Sequence, residues 1–518
     1  MRAAPIADLQ LGWHTRACDE KSIIYGYFSA QRMRAPAMTP PRQNESEIGA
    51  DATDPAVALA FERYSEGDVA GAARLAQEAL RTSKDPVGLR LVLGLCKRRQ
   101  GRQTEAVAIL REALDDAPTR ADIWTLLGLC QRDLARRDEA LKSFEMALAM
   151  NENFRRAQYQ RAVVLQEMGE HAAAVEAFQA YVKTDVGKRH ALAWSLLGVA
   201  LRTLERFEES ASAIMRAIAL APDDIPIRNS LVITHYVAGD DAQAMQAGRA
   251  ALMIKDHYAT KRFAEISQDH EPALVLTPRL VSFDPMARQK NIIAFSLWGD
   301  DPTYTHGAII NAQLAPHVYP GWRCRFYCDD TVPTPIIAEL RHWGAEIRMI
   351  HDPNLKQLKP IWRFLASDDP EIDYFICRDA DSRLNIQEAL AVNDWVQSGL
   401  PFHVMRDHVY HMEVMLAGMW GGVAGVLPNL QNLTAVAHGY TRNKWHDQEF
   451  LRDVVWPLIR DHARVHDSLF RFRGAQDFPP HCRLPGKIHV GGAIKSMRPW
   501  PPVADSEGTN QAKIPVQL

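Results

Sequence analysis

The stretch Trp124–Met150, WTLLGLCQRDLARRDEALKSFEMALAM, decides how the first half of the chain folds. Trp124, Leu127 and Gly128, then Ala140, Phe144 and Ala147, recur three and four apart on either side of a polar break, the period of two amphipathic helices. The same frame moved back by 34 residues meets Leu93, Gly94, Ala106, Leu110, Ala113 and then Pro118. Moved forward, it meets Ala162, Ala174 and Phe178. After a two-residue insertion near Gly187 and Lys188 it resumes at Trp194, Leu197, Gly198, Ile214, Ala217 and Pro222. Weaker copies carry Ala72 and Ala79 before, Leu231 and Ala244 after. A glycine in the first helix lets the second approach. The tryptophan four positions earlier fills the next layer, and proline after the second helix stops it.

This pattern resembles the tetratricopeptide repeat, in which stacked helix pairs bury a continuous core. About six units suffice for a superhelix. The resemblance implies an array over residues 53–267 that binds a peptide, a protein partner or a second copy. Residues 1–52 precede it. Residues 34–54 are rich in proline and acid, so this extension is expected to be poorly ordered, with Met38 as the natural start.

Composition bounds the rest. At 518 residues, the chain calls for more than one core. A net charge of −3 gives no electrostatic case for nucleic acid. No apolar run reaches the roughly 18 residues of a membrane helix, and the first 20 residues lack the apolar core of a signal peptide. Seven cysteines without disulfide-like spacing suit a reducing, cytoplasmic setting.

After residue 285 the composition changes: nine of twelve tryptophans and thirteen of nineteen histidines lie there. Residues 268–290 carry three prolines and no helical period, and read as a linker. Strands are expected at Ile292–Trp298, Arg323–Cys328, Glu346–Ile350 and Tyr374–Cys377, with helices at Thr305–Val318, Ile336–Trp343 and Trp362–Ala366 between them. That order predicts an α/β domain with a mostly parallel, Rossmann-like sheet over residues 291–502, before a disordered tail at 503–518. Ligands of such sheets sit at the carboxyl ends of the strands. There the sequence places Asp300, Asp301 and Tyr304, then Asp329 and Asp330, then Arg378-Asp379-Ala380-Asp381-Ser382-Arg383.

Asp379 and Asp381 are the most chemically legible pair. An apolar strand delivers two carboxylates at i and i+2 to one side, a hard-oxygen pair suited to Mg²⁺ or Mn²⁺. Such an ion can stabilise a diphosphate leaving group. This D-x-D makes residues 288–500 resemble a GT-A glycosyltransferase. Two further motifs strengthen the likeness. His489, Gly492 and Lys495 reproduce the H-x-x-G-x-x-K of the glycogenin-like retaining galactosyltransferases, and Asp447-Gln448 matches their D-Q pair.

The resemblance implies that His489 is the third metal ligand, that Lys495 meets the diphosphate and Gly492 lets the nucleotide approach. It implies that Asp447, with Gln448, lies near the transferred sugar. Asp300 and Tyr304 are expected at the base or ribose. Arg378 is expected either at phosphate or as a partner of a carboxylate. The family continues K-P-W directly, whereas Ser496-Met497-Arg498 intervene here, and MRDHVYHMEVMLAGMWGG has no placeable counterpart.

The implied function is a metal-dependent transfer of sugar from a nucleotide-sugar donor, UDP-linked, to a protein or glycan acceptor. The alternative is an interaction scaffold whose transferase domain is degenerate. A phosphohydrolase would need a two-metal spacing that is not seen. His403, His408 and His411 are too loosely spaced for a metal motif and read as packing or acceptor residues. Contiguous His466-Asp467-Ser468 cannot form a catalytic triad. Gly418–Gly422 reads as a sugar-pocket wall or a tight turn, and Cys324 and Cys328 as core.

Overall fold

The computed structural model describes residues 54–83, 85–268, 274–430, 433, 436, 439–440, 446–480, 484 and 489–492. Expectations for residues 1–52, for Lys495 and for the tail 503–518 fall outside them. The chain divides into two compact units, one up to Ala244 and one from Met245.

The first unit is a ladder of helix pairs: α1 (Pro55–Glu66) with α2 (Val69–Ala79), α3 (Pro86–Arg99) with α4 (Gln103–Asp116), α5 (Ala121–Asp133) with α6 (Arg137–Met150), α7 (Arg155–Met168) with α8 (His171–Tyr181), and α9 (Ala191–Thr203) with α10 (Phe207–Leu220), then α11 (Ile225–Val237). The glycines of the frame act as expected. A Cβ on Gly94 would lie 2.7 Å from Leu110, one on Gly128 2.7 Å from Phe144, and one on Gly198 2.4 Å from Ile214. Trp124 packs on Ala147, Phe154 and Ala157, which reach into the next pair. Trp194 likewise meets Ile214, Ala217 and Ile227. The insertion near Gly187 forms a short 3-10 turn, Gly187–Arg189, whose following His190 is hydrogen-bonded to the Tyr181 hydroxyl at 3.0 Å.

A second periodicity becomes visible only in the backbone. The turns inside the helix pairs reverse through a left-handed residue at Gly67, Gly101, Ala135, Gly169, Glu205 and Gly239. The amide after each such residue reaches back to close the helix, as Arg136 N does to Gln131 O and Arg206 N to Leu201 O. Ala135 and Glu205, both at φ 60°, hold a conformation that disfavours a side chain. Glu205→Gly should therefore stabilise the array by about 0.5–1 kcal/mol, and Gly169→Ala should cost about as much. Urea midpoints of the two variants, which should move in opposite directions, check this.

The helix α12 (Asp241–Gln268) contains the division between the units. Its residues from Met245 belong to the second unit, whereas the sequence reading carried the repeat array to residue 267. The stretch read as a linker is, from Leu274 on, laid against the sheet. Thr277 N donates to Val426 O at 2.8 Å. The Arg279 guanidinium donates to the carbonyls of Ile372 and Ala424 and to the Asp373 carboxylate, each at 2.7 Å.

The second unit is built on a seven-stranded sheet of order β3-β2-β1-β4-β6-β5-β7. Its strands are β1 (Asn291–Leu297), β2 (Arg323–Cys328), β3 (Glu346–Met349), β4 (Tyr374–Cys377), β5 (Phe402–Arg406), β6 (Trp420–Val423) and β7 (Ala463–Asp467). Strands β1, β2, β3 and β4 pair in parallel. Within this sheet β6 alone is reversed, antiparallel to both β4 and β5, and β7 then pairs parallel to β5. The sheet is mixed, with a single inverted strand. Helices α13 (Pro302–Val318), α14 (Thr334–His342) and α15 (Ile386–Ser398) and a 3-10 run, Lys359–Asp368, connect the strands. All of β1 and β4 is buried, as expected of continuous apolar strands at a sheet centre. Cys324 and Cys328 are buried in β2, their thiols pushed up to about 12 by desolvation.

From β1 the chain moves outward through β2 to β3, then returns to the other flank of β1 with β4. The loops leaving β1 and β4 therefore diverge. That is a topological switch point, where the carboxyl ends of open α/β sheets form a crevice.

Candidate active site

Both halves of the switch point carry residues singled out in the sequence. After β1, Asp301 caps α13, its carboxylate accepting from Thr303 N at 2.8 Å. Tyr304 stands in the first turn of that helix, 40% exposed. Partial burial raises its hydroxyl pKa, and the carboxylates of Asp381, Asp301 and Asp379 raise it further. Both acids of the D-x-D thus lie within electrostatic reach of Tyr304. Asp300 is exposed in the same loop. The turn after β4 packs against α13 at Gly307, where a Cβ would fall 2.1 Å from the Ala380 carbonyl. Glycine there seats the acidic turn on the helix. After β2, Asp329 is buried and held by Lys359 at 2.8 Å, so it braces the edge rather than facing a ligand.

The residue that ties the site together was not singled out in the sequence. Arg363, 5% exposed in the 3-10 run, donates from Nη1 to Asp379 Oδ1 at 2.5 Å and from Nη2 to Asp447 Oδ2 at 3.1 Å. One guanidinium therefore holds an acid of the D-x-D and the acid of the D-Q pair, 68 positions apart in the chain (447 − 379). Desolvation works against its charge, and Asp379 and then Asp447 restore it. A lone arginine inside the apolar run KPIWRFLAS was the available signal: an isolated charge in such a run must meet a partner.

Arg378 goes elsewhere. It is 1% exposed, paired with Glu388 at 3.3 Å, and donates to the Tyr319 hydroxyl at 3.4 Å. The expectation of a phosphate contact is corrected: the side chain turns into the body of the fold, where it neutralises a buried glutamate. Its role is that of a carboxylate partner.

The segment without a counterpart, MRDHVYHMEVMLAGMWGG, supplies the floor that joins the motifs. Gln448 Nε2 donates to Met415 O, and Ala417 N donates to Gln448 Oε1 at 3.1 Å. At Gly418 a Cβ would lie 2.0 Å from Asp379 Oδ2. At Gly491 a Cβ would lie 2.5 Å from the Met419 sulfur. Val490 N donates to Asp407 Oδ2 at 3.2 Å. The D-x-D, the D-Q pair and the H-x-x-G turn thus all touch Asp407–Met419.

His489 does not complete a three-ligand site with Asp379 and Asp381. Its ring stacks on His408 at 4.2 Å and meets His411 edge-on at 4.8 Å. Gly492 N closes the turn onto His489 O at 3.1 Å. Among the described residues no group of three or more His, Cys, Asp and Glu side chains converges as a metal site. The two half-buried carboxylates do fit a hard divalent ion of the kind held by one or two acids plus substrate phosphates. His403 lies apart, paired with His466 at 2.9 Å. An open groove beside α12, near Arg249, Arg460 and Arg473, holds none of the motif residues; Arg460 and Arg473 are both paired with Asp256.

Comparison with known proteins bears on the first unit. Tetratricopeptide-repeat family models match residues 63–130, 125–185 and 159–225. The helix pairs of this unit are tetratricopeptide repeats. Among solved structures, MamA from Desulfovibrio magneticus RS-1 is 22% identical over 36% of this chain and 98% of that one, with a TM-score of 0.31. YrrB, described as a TPR protein with an unusual peptide-binding site, is 17% identical over 35% of this chain and 93% of that one, TM-score 0.33. A tetratricopeptide repeat protein from Parabacteroides merdae ATCC 43184 is 18% identical over 42% of this chain and 93% of that one, TM-score 0.33. No curated protein matches the chain. Among the described residues no helix is long and apolar enough to cross a membrane.

Proposed function

We propose that the second unit is a GT-A-type glycosyltransferase acting on a UDP-linked sugar, and that the repeat array engages a protein partner or the acceptor. The observation that carries this reading is the Arg363 bridge. It holds Asp379 and Asp447 on one guanidinium at the switch point of the sheet, with Tyr304 within reach of the acids. In the reaction the bond between the anomeric carbon and the diphosphate oxygen breaks, its electron pair leaving with the nucleotide. The acceptor hydroxyl forms the new bond and loses its proton. Asp379 and Asp381 would hold Mn²⁺ or Mg²⁺, which when bound offsets the charge gathering on the diphosphate. Asp447, 8% exposed and oriented by Arg363, would face the sugar, with Gln448 fixing the floor beside it. The H-x-x-G-x-x-K resemblance is what supports retention of configuration.

One observation favours the scaffold reading instead: an oxygen of Asp379 is already taken by Arg363. Calorimetric titration of UDP into the wild type and Asp381→Asn, each with and without Mn²⁺, separates the two. The transferase reading expects Mn²⁺ to tighten UDP binding to the wild type by more than about tenfold, or about 1.4 kcal/mol, and to have no effect on the variant. Melting of the variant should be nearly unchanged, because Asp381 is only half-buried. Equal affinities in all four titrations leave the scaffold.

A further inference from the structure

We infer that Lys255 is a positioning residue for this site, fixing the segment that carries Met415, Ala417 and Gly418. Its functional consequence rests on the transferase reading; its geometry does not. Lys255 lies on the part of α12 that belongs to the second unit and is 1% exposed. Its ammonium donates to the carbonyl of Met412 and to Glu413 Oε1, the latter at 2.7 Å. Two residues further on, Arg406 Nη1 donates to the carbonyl of Val414 at 2.7 Å. Arg406 is itself fully buried and locked to Asp467 at 3.0 Å. Two buried cations, one from a helix and one from a strand, therefore grip alternate carbonyls of one loop. Immediately after that grip the loop meets Gln448, then faces Asp379 through Gly418, then meets Gly491 through Met419.

The neighbouring residue of the helix braces the opposite side. Asp256 accepts from the Trp456 indole at 2.7 Å and from Arg460 at 2.9 Å. Both donors follow the helix His446–Phe450 that carries Asp447 and Gln448, beyond a π-helical turn at Leu451–Val455. Successive residues of α12 thus hold the two segments that flank the Arg363 bridge.

The choice of residue is informative. A buried ion pair stabilises a fold less than well-packed apolar side chains of similar volume would. Its value lies in directional donors that fix a carbonyl and a carboxylate in one place. Among the described residues Glu413 Oε2 is buried with no hydrogen-bond partner, and Oε1 is held by Lys255.

The test uses the full chain in three forms: wild type, Lys255→Met, and the double variant Lys255→Met with Glu413→Leu. The single variant removes the ammonium from the largely covered Glu413 carboxylate and should melt lower. The double variant removes both charges and should recover most of that loss. A purely structural role predicts that everything else recovers with it. Positioning predicts otherwise: in the double variant, amides of Met412–Met419 exchange hydrogen at least about tenfold faster, a difference of about 1.4 kcal/mol in local opening. Those of β1 stay unchanged, and Mn²⁺-dependent UDP affinity stays at least about tenfold weaker than in the wild type. Wild-type exchange in Met412–Met419 of the double variant overturns the inference. If the wild type itself binds no UDP, the transferase reading fails, and the exchange comparison still decides the role of Lys255.

Discussion

Between pH 6.5 and about 4.5 the second unit is expected to lose stability steeply, and two histidines at the edge of the sheet are among the causes, beside His408 and His411. His403 on β5 and His466 on β7 are 0% and 1% exposed, with Nε2 of the first 2.9 Å from Nδ1 of the second. His466 Nε2 faces Asp394 at 3.2 Å. This fixes the protons. His466 donates through Nε2 to Asp394 and accepts at Nδ1 from His403 Nε2–H. His403 Nδ1 is then a bare lone pair, in keeping with its being buried and without a hydrogen-bond partner among the described residues. Both rings are neutral. Desolvation holds His403 well below the usual histidine range and pushes His466 down to about 4, against the pull of Asp394.

The sign follows from proton counting. In this window the unfolded chain binds protons that the folded pair refuses, so stability is complete above about pH 6.5 and falls as the pH drops toward the folded values. Each fully neutral histidine contributes a loss of about 1.4 kcal/mol per pH unit below 6.5. His466 alone gives about 2.5 kcal/mol by pH 4.5, and His403 adds to it in the same direction. Urea midpoints against pH should show this slope in the wild type and a shallower one in His403→Phe with His466→Leu. Parallel slopes would count against it.

Replacing Asp467 by asparagine should be the most destabilising single change in this unit. The carboxylate is fully buried and accepts from Arg406 Nε at 3.0 Å and from the amides of Phe470 at 2.7 Å and Leu469 at 3.2 Å. Losing its charge strands the Arg406 guanidinium in the interior, a change that costs about 3–5 kcal/mol. For a unit of this size that lowers the melting temperature by roughly 10 °C. Because Arg406 also holds Val414, the floor of the site should loosen with it. A shift of only a degree or two in calorimetry would mean that the pair is better hydrated than its burial implies.

The repeat array was legible because its contacts are local. Gly128 meets Phe144 sixteen residues later, and the pattern returns in the next unit, so a period in the sequence is a contact in the fold. The left-handed turns obey the same period but were hidden, since Ala135 and Glu205 occupy positions where glycine would have announced them. In the second unit, β1 to β4 could be read from apolar runs punctuated by acids. The inverted strand β6 could not, because WGGV carries no alternation and the strand inserts between β4 and its immediate predecessor β5.

The candidate site was legible where a motif is contiguous, as in Asp379-Ala380-Asp381 and Asp447-Gln448. It was opaque where side chains meet across the fold. Arg378 and Arg363 show the difference. Adjacency favoured the first, yet the backbone turns it inward to Glu388, and the second reaches both acids from a connecting segment. His489 shows the same limit, since its neighbours are histidines from the 407–419 segment.

Gly418 leaves a practical mark on any survey of related genomes. The volume that a methyl group would fill at this position is occupied by an oxygen of Asp379. A single-codon change to alanine would push that carboxylate off its seat without touching a charged residue. Homologues that keep both acids of the D-x-D but carry a side chain here would therefore pass a motif search while lacking the arrangement the motif stands for. One column of an alignment, occupied by the smallest residue, then sorts intact sites from vestigial ones.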